Sequence, residues 1–563
     1  MKIKLFKYLI LVLFSILLTD NVRCQTSYEN NDYLKYYSLC KVWGYLKYNH
    51  PVVKKGKIDW DSELFRVLKQ IESAKTYDEI NIIYKHWFES LDNNFRIIQN
   101  QPKESNNIFL KNYDISWIND SSFFTANNSL YLNKIAKAKL KGKTHYIKQS
   151  HFITYFPNEK VYTKDEFPDL HIRLLALFRY WNIVEYYYAY KHESIEDWDN
   201  LLATLLPKFI RAKNIVDYHL AIKEMISSIN DSHSYFQSSD LNNYFGRYRL
   251  PFSIQIIDSS MIVGNYLAYV PITDTIPFGS TINSINGRTF SDIYNSTKHL
   301  LSGSNFNGKL IYNGDILFFD STNVSEISYT LSNGKKELKT ISRFHVDSLN
   351  LWYKEYKKTQ QELNNQSHRI IHDSIAYIDM GNLKVNEIKE IMKEIFEIKN
   401  LIIDLRRYPN GTIKELSKYL VEKGTPAQFL MPSINNPGKF VWSDSGVFGS
   451  NKKNIYKGKI VVLVGHLTKS QGEFSTMILQ MRKDVTVVGN QTAGADGAIA
   501  KIHFPSGEKS NITGYGVYYP DKTPTQRIGL RIDILVNPSL LSILSNEDEI
   551  FNEALKIIYS KNE

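Results

Sequence analysis

Residues 459–475 read KIVVLVGHLTKSQGEFS. From Ile460 to Val464 the chain is continuously apolar and mostly β-branched, the pattern of a short strand buried on both faces. Gly465 ends that run, a polar loop follows, and GEFSTMILQMRK has helical character from near Gly472 or Glu473. Working outward, SIAYIDM (374–380) and NLIIDL (400–405) read as further strands, with a helical stretch, NEIKEIMKEIFEI (386–398), between them. Strands alternating with helices predict an α/β layer structure. Ligands in such sheets sit beyond the carboxyl ends of the strands. Chemistry is therefore expected in the loops that follow IIDL and VVLVG.

Ser470 stands at the start of a helix, where a hydroxyl meets the positive end of the helix dipole and the N–H of Gln471 is free to meet an oxyanion. A capping serine is the ordinary occupant of such a position, so a nucleophile there needs a partner. The loop RRYPNGT (406–412) contains a Pro-Asn-Gly turn, in which Gly411 or Asn410 could present a second N–H toward the same crevice. A hydroxyl becomes a competent nucleophile when a base takes its proton, and histidine is the usual base near neutral pH. Of the 14 histidines, His233 lies in INDSHSYF (229–236), flanked by Asp231, Ser232 and Ser234, all able to orient an imidazole. His466, nearer to Ser470 in sequence but at a strand exit, is the competing base.

These segments resemble the tail-specific (C-terminal-processing) and tricorn-core serine proteases. The nucleophile segment of that family has a serine followed three residues later by glutamate, here Ser470 and Glu473. LIIDLRRYPNG (401–411) resembles the family's LRxNxGG oxyanion loop, VTVVGNQTAGADG (485–497) its VVGxxTxG turn, and RIGLRIDILVNPS (527–539) its closing strand. With INDSHS the likeness spans roughly residues 197 to 539. It implies a C-terminal α/β protease core of the crotonase/ClpP-like type and an acyl-enzyme mechanism without a cofactor or metal. Tail-specific members use a serine–lysine dyad, but Ala495 stands where that lysine would be. The tricorn-like Ser-His arrangement is therefore implied, with His233 as base, Ser232 holding the site, and Gln471 with Gly411 or Asn410 binding the oxyanion. A glutamate expected before the closing strand is replaced by Gln526, which can orient a hydroxyl but cannot supply negative charge. Asn410 replaces the first glycine of the oxyanion loop, and Ile532 stands where the closing motif has proline.

An internal repeat occupies the first part of the chain. Trp43, Asp59, Trp60, Asp61, Ala74 and Lys75 recur 138 positions later as Trp181, Asp197, Trp198, Asp199, Ala212 and Lys213. Leu64, Val67, Leu68 and Ile71 recur as Leu202, Leu205, Leu206 and Phe209 at helical spacing. Both copies read as small helical units with tryptophan anchors. They diverge at one telling place, since His233 of the second copy corresponds to Phe95 of the first.

After Tyr235 the pattern changes to short β-type runs such as FSIQII and MIVGNYLAYV, and PFGSTINSINGRTF (277–290) resembles the strand and turn pattern of PDZ modules. Such a module binds peptides by adding a strand to a sheet edge. KEYKKTQQELNNQSH (354–368) reads as a helix or linker into the last domain. The expected organisation is multidomain α+β: a signal peptide at 1–24, a helical domain with the first repeat copy at 25–165, a second helical unit carrying His233 at 166–245, a PDZ-like domain at 246–350, and a catalytic core at 351–563.

At 563 residues several domains are expected, and 43% hydrophobic with 23% charged residues is ordinary globular composition. Lys2, Lys4 and Lys7 precede an apolar run from Tyr8 to Leu18, which reads as a secretory signal cleaved near Cys24–Gln25, the run being too short for the ~20 residues that span a bilayer. The protein is accordingly expected to be exported, periplasmic or secreted, without a stable membrane anchor. Cys40 would then remain alone and is assigned no chemistry. The net charge of +11 is scattered along the chain, which argues against a nucleic-acid partner. HExxH and paired Cys-x-x-Cys motifs are absent, and GKTHY at residue 142 lacks the upstream glycine of a phosphate loop. The expected partner is a peptide or unfolded protein, cleaved by a serine endopeptidase. The alternative is an inactive peptide- or ligand-binding protein on a protease-derived scaffold.

Overall fold

The computed structural model describes residues 33–560, apart from 92, 98–106, 139–143, 151, 163–165, 194–196, 272–274, 361–365, 452–454 and 546. The expected signal peptide lies outside the described residues. The chain divides into two compact units, one formed by Met1–Ala221, Pro432–Val441 and Lys501–Lys509, the other by Ile222–Met431, Trp442–Ala500 and Ser510–Glu563.

In the first unit the repeat is visible as three matched helices. Helices α1 (Leu34–Asn49), α2 (Trp60–Ser73) and α3 (Tyr77–Ser90) correspond to α4 (Leu170–Tyr187), α5 (Trp198–Arg211) and α6 (Ile215–Ser227), the unit division falling inside α6. The same local chemistry starts them. Asp59 and Asp197 accept backbone N–H groups at the starts of α2 and α5, and Glu79 and Asp217 accept the N–H groups of Lys75 and Lys213 before α3 and α6. Each tryptophan pair is locked reciprocally: Trp43 and Trp60 donate to each other's carbonyls at 3.1 and 3.0 Å, and Trp181 and Trp198 do so at 3.0 and 3.2 Å. Lys35 and the equivalent Arg173 bond the last carbonyls of α2 and α5.

Between the copies the contacts are exchanged as across a two-fold axis. Lys41 of the first copy pairs with Asp199 of the second at 2.7 Å, and the equivalent Arg179 pairs with Asp61 at 3.0 Å. Gly44 faces its own counterpart, Asn182, so closely that a Cβ on Gly44 would lie 1.8 Å from the Asn182 Cγ. Glycine is required there for the close approach of α1 and α4.

The second unit contains two principal sheets. Strands β1 (Phe252–Ile257), β2 (Ser260–Tyr266), β3 (Thr281–Ile285), β4 (Val324–Thr330) and β5 (Lys336–Ser342) form an antiparallel sheet in that order, leaving β1 at an edge. The helix Val346–Gln360 comes next in the chain, where sequence allowed a helix or a linker.

Strands β6 (His368–Ile371), β7 (Ile375–Asp379), β8 (Asn400–Asp404), β9 (Lys459–Val464), β10 (Val485–Gly489) and β11 (Ile534–Leu535) form the core sheet in sequence order. Only β6 runs antiparallel to its neighbour, β7. Alternate residues of each strand serve two cores. Ile378, Ile403, Val462 and Val487 pack with the helices Ile388–Ile395, Ile413–Leu420 and Gln471–Leu479, while Ile375, Ile402, Val461 and Val488 pack with Ile550, Ala554 and Ile558 of the helix Glu549–Tyr559. Burial on both faces is why these strands read as unbroken apolar runs. Because strand order never reverses from β7 to β10, right-handed crossovers place all three connecting helices on one face. The loops after β7, β8, β9 and β10 consequently emerge along one edge.

Candidate active site

Ser470 lies between β9 and the helix Gln471–Leu479, with a positive φ of 53° and ψ of −115°. A serine there is strained, and such strain persists only where surrounding bonds impose it. They are present: the Ser470 N–H donates to the Ala495 carbonyl at 3.0 Å and faces Glu473 Oε2 at 3.3 Å. Glu473 is buried and also accepts from the Thr492 hydroxyl, at 2.5 Å, and from the N–H groups of Gly494 and Ala495, at 2.8 and 2.9 Å. It thereby clamps the 492–497 turn against the start of the Ser470 helix. Burial raises the Glu473 pKa and these hydrogen bonds oppose the rise. Ala495, where a dyad lysine would stand, contributes only its backbone.

Thr468 ties the neighbouring loops together. Its hydroxyl donates to the Leu405 carbonyl at 2.9 Å, and its own carbonyl accepts from Ala493 at 3.0 Å. The loop after β8 therefore lies against the loop after β9, as their parallel pairing requires. A Cβ on Gly411 would sit 3.4 Å from Gln471 Nε2, which puts Gly411 beside the first helical residue. Asn410 turns elsewhere: its N–H bonds the Met380 carbonyl at 3.3 Å, and its side-chain amide bonds the Gly381 and Leu383 carbonyls. Of the two oxyanion candidates in that loop, Gly411 is the one whose N–H is not directed to that carbonyl.

His233 is buried. Its Nδ1 lies 2.8 Å from the Thr513 hydroxyl, and its backbone N–H donates to Asp231 Oδ1 at 2.9 Å. Asp231 also accepts the Thr513 N–H at 2.7 Å and the Thr513 hydroxyl at 3.0 Å. Burial, assisted by the positive charge of Lys469, holds the imidazole below its ordinary pKa of 6.5 despite the attraction of Asp231. His233 is thus neutral at neutral pH, as a base must be.

Ser232 and Ser304 exchange bonds, each backbone N–H donating to the other's hydroxyl at 2.8 Å. Gln526 Nε2 donates to the same Ser304 hydroxyl at 3.3 Å. Ser232 and Gln526 therefore meet through Ser304, and neither is hydrogen-bonded to the His233 ring. His466 points away, its Nδ1 bonding the Gln491 carbonyl at 3.0 Å. Lys469 lies over the Tyr312 ring at 4.3 Å, its pKa lowered by burial. Burial, reinforced by repulsion from Glu473, pushes the Asp496 carboxyl well above the usual range.

The 492–497 turn joins the two halves of the site. On one side Ala495 holds Ser470; on the other a Cβ at Gly497 would lie 2.7 Å from the Thr513 methyl group, next to His233. The His233 ring and the Ser470 hydroxyl share no hydrogen bond. Catalytic hydrogen bonds are often loose before substrate arrives. Thr513 and Ser304 carry no signal in the sequence, since a threonine in a strand and a serine in a loop are ordinary. Among the described residues no group of three or more His, Cys, Asp or Glu side chains is placed to hold a metal ion, and no helix is long and apolar enough to cross a membrane.

Residues 374–536 match the profile of peptidase family S41. That segment, less than a third of the chain, is similar to peptidase family S41. The match points to a serine peptidase, a hydrolase of peptide bonds. Its fold is similar to that of mature CPAF complexed with lactacystin, with a TM-score of 0.54 at 11% identity over 69% of this chain and 99% of that one. Mature CPAF alone gives 0.53 at 10% identity, over 70% of this chain and 99% of that one. The photosystem II D1 C-terminal processing protease gives 0.37 at 14% identity, over 66% of this chain and 95% of that one. No curated protein sequence matches the chain.

Proposed function

We propose that this chain is an S41 peptidase, an exported serine endopeptidase of the tricorn-like Ser-His type, acting on extended peptides or unfolded proteins. The observation that carries the reading is the strained Ser470 on one side of the 492–497 turn with a buried, neutral His233 on the other. Ser470 Oγ attacks the scissile carbonyl while its proton passes to the imidazole. The N–H groups of Gln471 and Gly411 receive the oxyanion. The imidazolium then protonates the leaving amine, and water, deprotonated by the same ring, releases the acyl-enzyme.

A substrate path is supported by the second unit's antiparallel sheet, acting as a PDZ-like module. Its edge strand β1 borders a cavity of about 380 Å³ lined by Leu250, Phe252, Ile254, Leu310, Ile311 and Phe318. An extended peptide added to β1 would place alternate apolar side chains in that cavity.

The absence of a His233–Ser470 hydrogen bond favours a second reading, a peptide-binding protein without turnover. The two are separated by Ser470→Ala and by a fluorophosphonate probe. The endopeptidase is expected to label at Ser470 and to lose at least about 10⁴-fold in kcat in the variant. Undiminished cleavage by Ser470→Ala removes Ser470 from the mechanism, and a folded parent protein that neither labels nor cleaves supports the binding role.

A further inference from the structure

The His233 ring is met by a hydroxyl where a carboxylate would be the simpler partner. Its Nδ1 is 2.8 Å from Thr513 Oγ1, whereas the nearer Asp231 oxygen is 3.8 Å away, beyond hydrogen-bond reach. That same oxygen lies 3.0 Å from the Thr513 hydroxyl. A hydroxyl has one proton to give and lone pairs to receive with. Asp231, already accepting backbone N–H groups at both oxygens, takes the Thr513 proton. The Thr513 lone pair that faces His233 must then be met by an N–H, so Nδ1 carries the ring proton and Nε2 carries the lone pair.

We propose that Asp231 and Thr513 form a positioning relay that fixes His233 in the tautomer and orientation a general base requires. The inference rests on the assignment of Ser470 as nucleophile and His233 as base. Neither Asp231 nor Thr513 touches substrate, and each acts through the ring. When the imidazole takes the Ser470 proton on Nε2, its Nδ1–H keeps donating to Thr513, and the Thr513 hydroxyl keeps donating to Asp231. The new positive charge is stabilised through two hydrogen bonds without a proton leaving Nδ1. The backbone enforces the arrangement, because one carboxylate binds the N–H groups of both His233 and Thr513 and so holds the two side chains in register. Without the hydroxyl, Nδ1 would be buried with no partner, and the ring would be free to turn or to exchange tautomers.

Thr513→Val preserves the side-chain shape and removes the hydroxyl. On a quenched fluorogenic peptide it is expected to lower kcat by about 10²- to 10⁴-fold while KM stays within about threefold, and Thr513→Ser is expected to recover kcat to within about tenfold of the parent. Parent-like kcat in Thr513→Val, with Ser470→Ala inactive, overturns the relay and leaves the nucleophile assignment standing. Activity in Ser470→Ala overturns that assignment itself. Equal losses in the Val and Ser variants mark a packing role and also overturn the relay. Should Thr513→Val fail to fold, the full-length parent labelled with ¹⁵N-histidine decides. Its His233 signals, recognised by their loss in His233→Ala, are expected to show a proton on Nδ1 and none on Nε2, and the opposite tautomer overturns the proposal.

Discussion

The two copies of the helical repeat solve the same folding problem and then part. Each encloses a reciprocally bonded tryptophan pair, starts its second helix on an aspartate and buries the same apolar stripe. They differ in the segment just beyond the third helix. In the first copy Phe95 packs edge-on against His50, with Lys134 over its face at 4.9 Å, and Asn93 donates to the Phe88 carbonyl. In the second, the counterparts of Asn93 and Phe95 are Asp231 and His233, an acceptor and an imidazole joined through Thr513. A duplicated scaffold thus keeps its packing in both copies, while one tail alone carries the aspartate and imidazole to which we assign chemistry. Packing needs only shape and apolar area, whereas catalysis needs a donor and an acceptor at defined distances.

The most drastic way to break this comparison is to make the second tail like the first. His233→Phe is expected to lower kcat on a quenched fluorogenic peptide by at least about 10³-fold. In the parent, kcat/KM is expected to fall as pH drops through a His233 pKa below 6.5, because protonation removes the base. An acid limb above that value would contradict the burial of the ring. The same depression ties stability to pH: the unfolded chain binds the proton more tightly, so stability present above pH 6.5 is lost as pH falls through the folded value.

A smaller effect sharpens the comparison in the scaffold itself, where the exchanged ion pairs are equivalent in sequence but unequal in exposure. Arg179 and Asp61 have side chains 0% and 7% exposed, while Asp199 is 40% exposed. Asp61→Ala is expected to cost about 3 kcal/mol by leaving a buried guanidinium less compensated, the low end of the usual range because Glu159 still pairs with it at 2.9 Å. Asp199→Ala is expected to cost about 1 kcal/mol or less, since the partly exposed pair is screened and Lys41 rests on the rings of Tyr37, Trp117 and Trp181. Denaturant titrations of both variants test the order, and equal costs would mean that burial does not distinguish the two halves.

Much of this architecture is legible in the sequence. The helices of the repeat came from spacings of three and four, and the core sheet from apolar runs alternating with helical stretches. Those patterns are local, so they survive in one dimension. The loops after β8 and β9 were also legible as neighbours, because consecutive parallel strands in a right-handed spiral place successive loops side by side. Gln526 stands where a glutamate is expected in the site, and what its amide reaches, Ser304, is set by the fold. The hydroxyl that holds His233 belongs to Thr513, which lies 280 residues away from it.

By itself, then, the amino-acid order determined the layers, the duplication and which hydroxyl and imidazole were worth pairing, because periodicity and residue chemistry are properties of short segments. Tertiary structure alone decided how the imidazole is held and which N–H groups remain near Ser470. A threonine hydroxyl or a backbone amide has no role until another part of the chain arrives within hydrogen-bond distance of it.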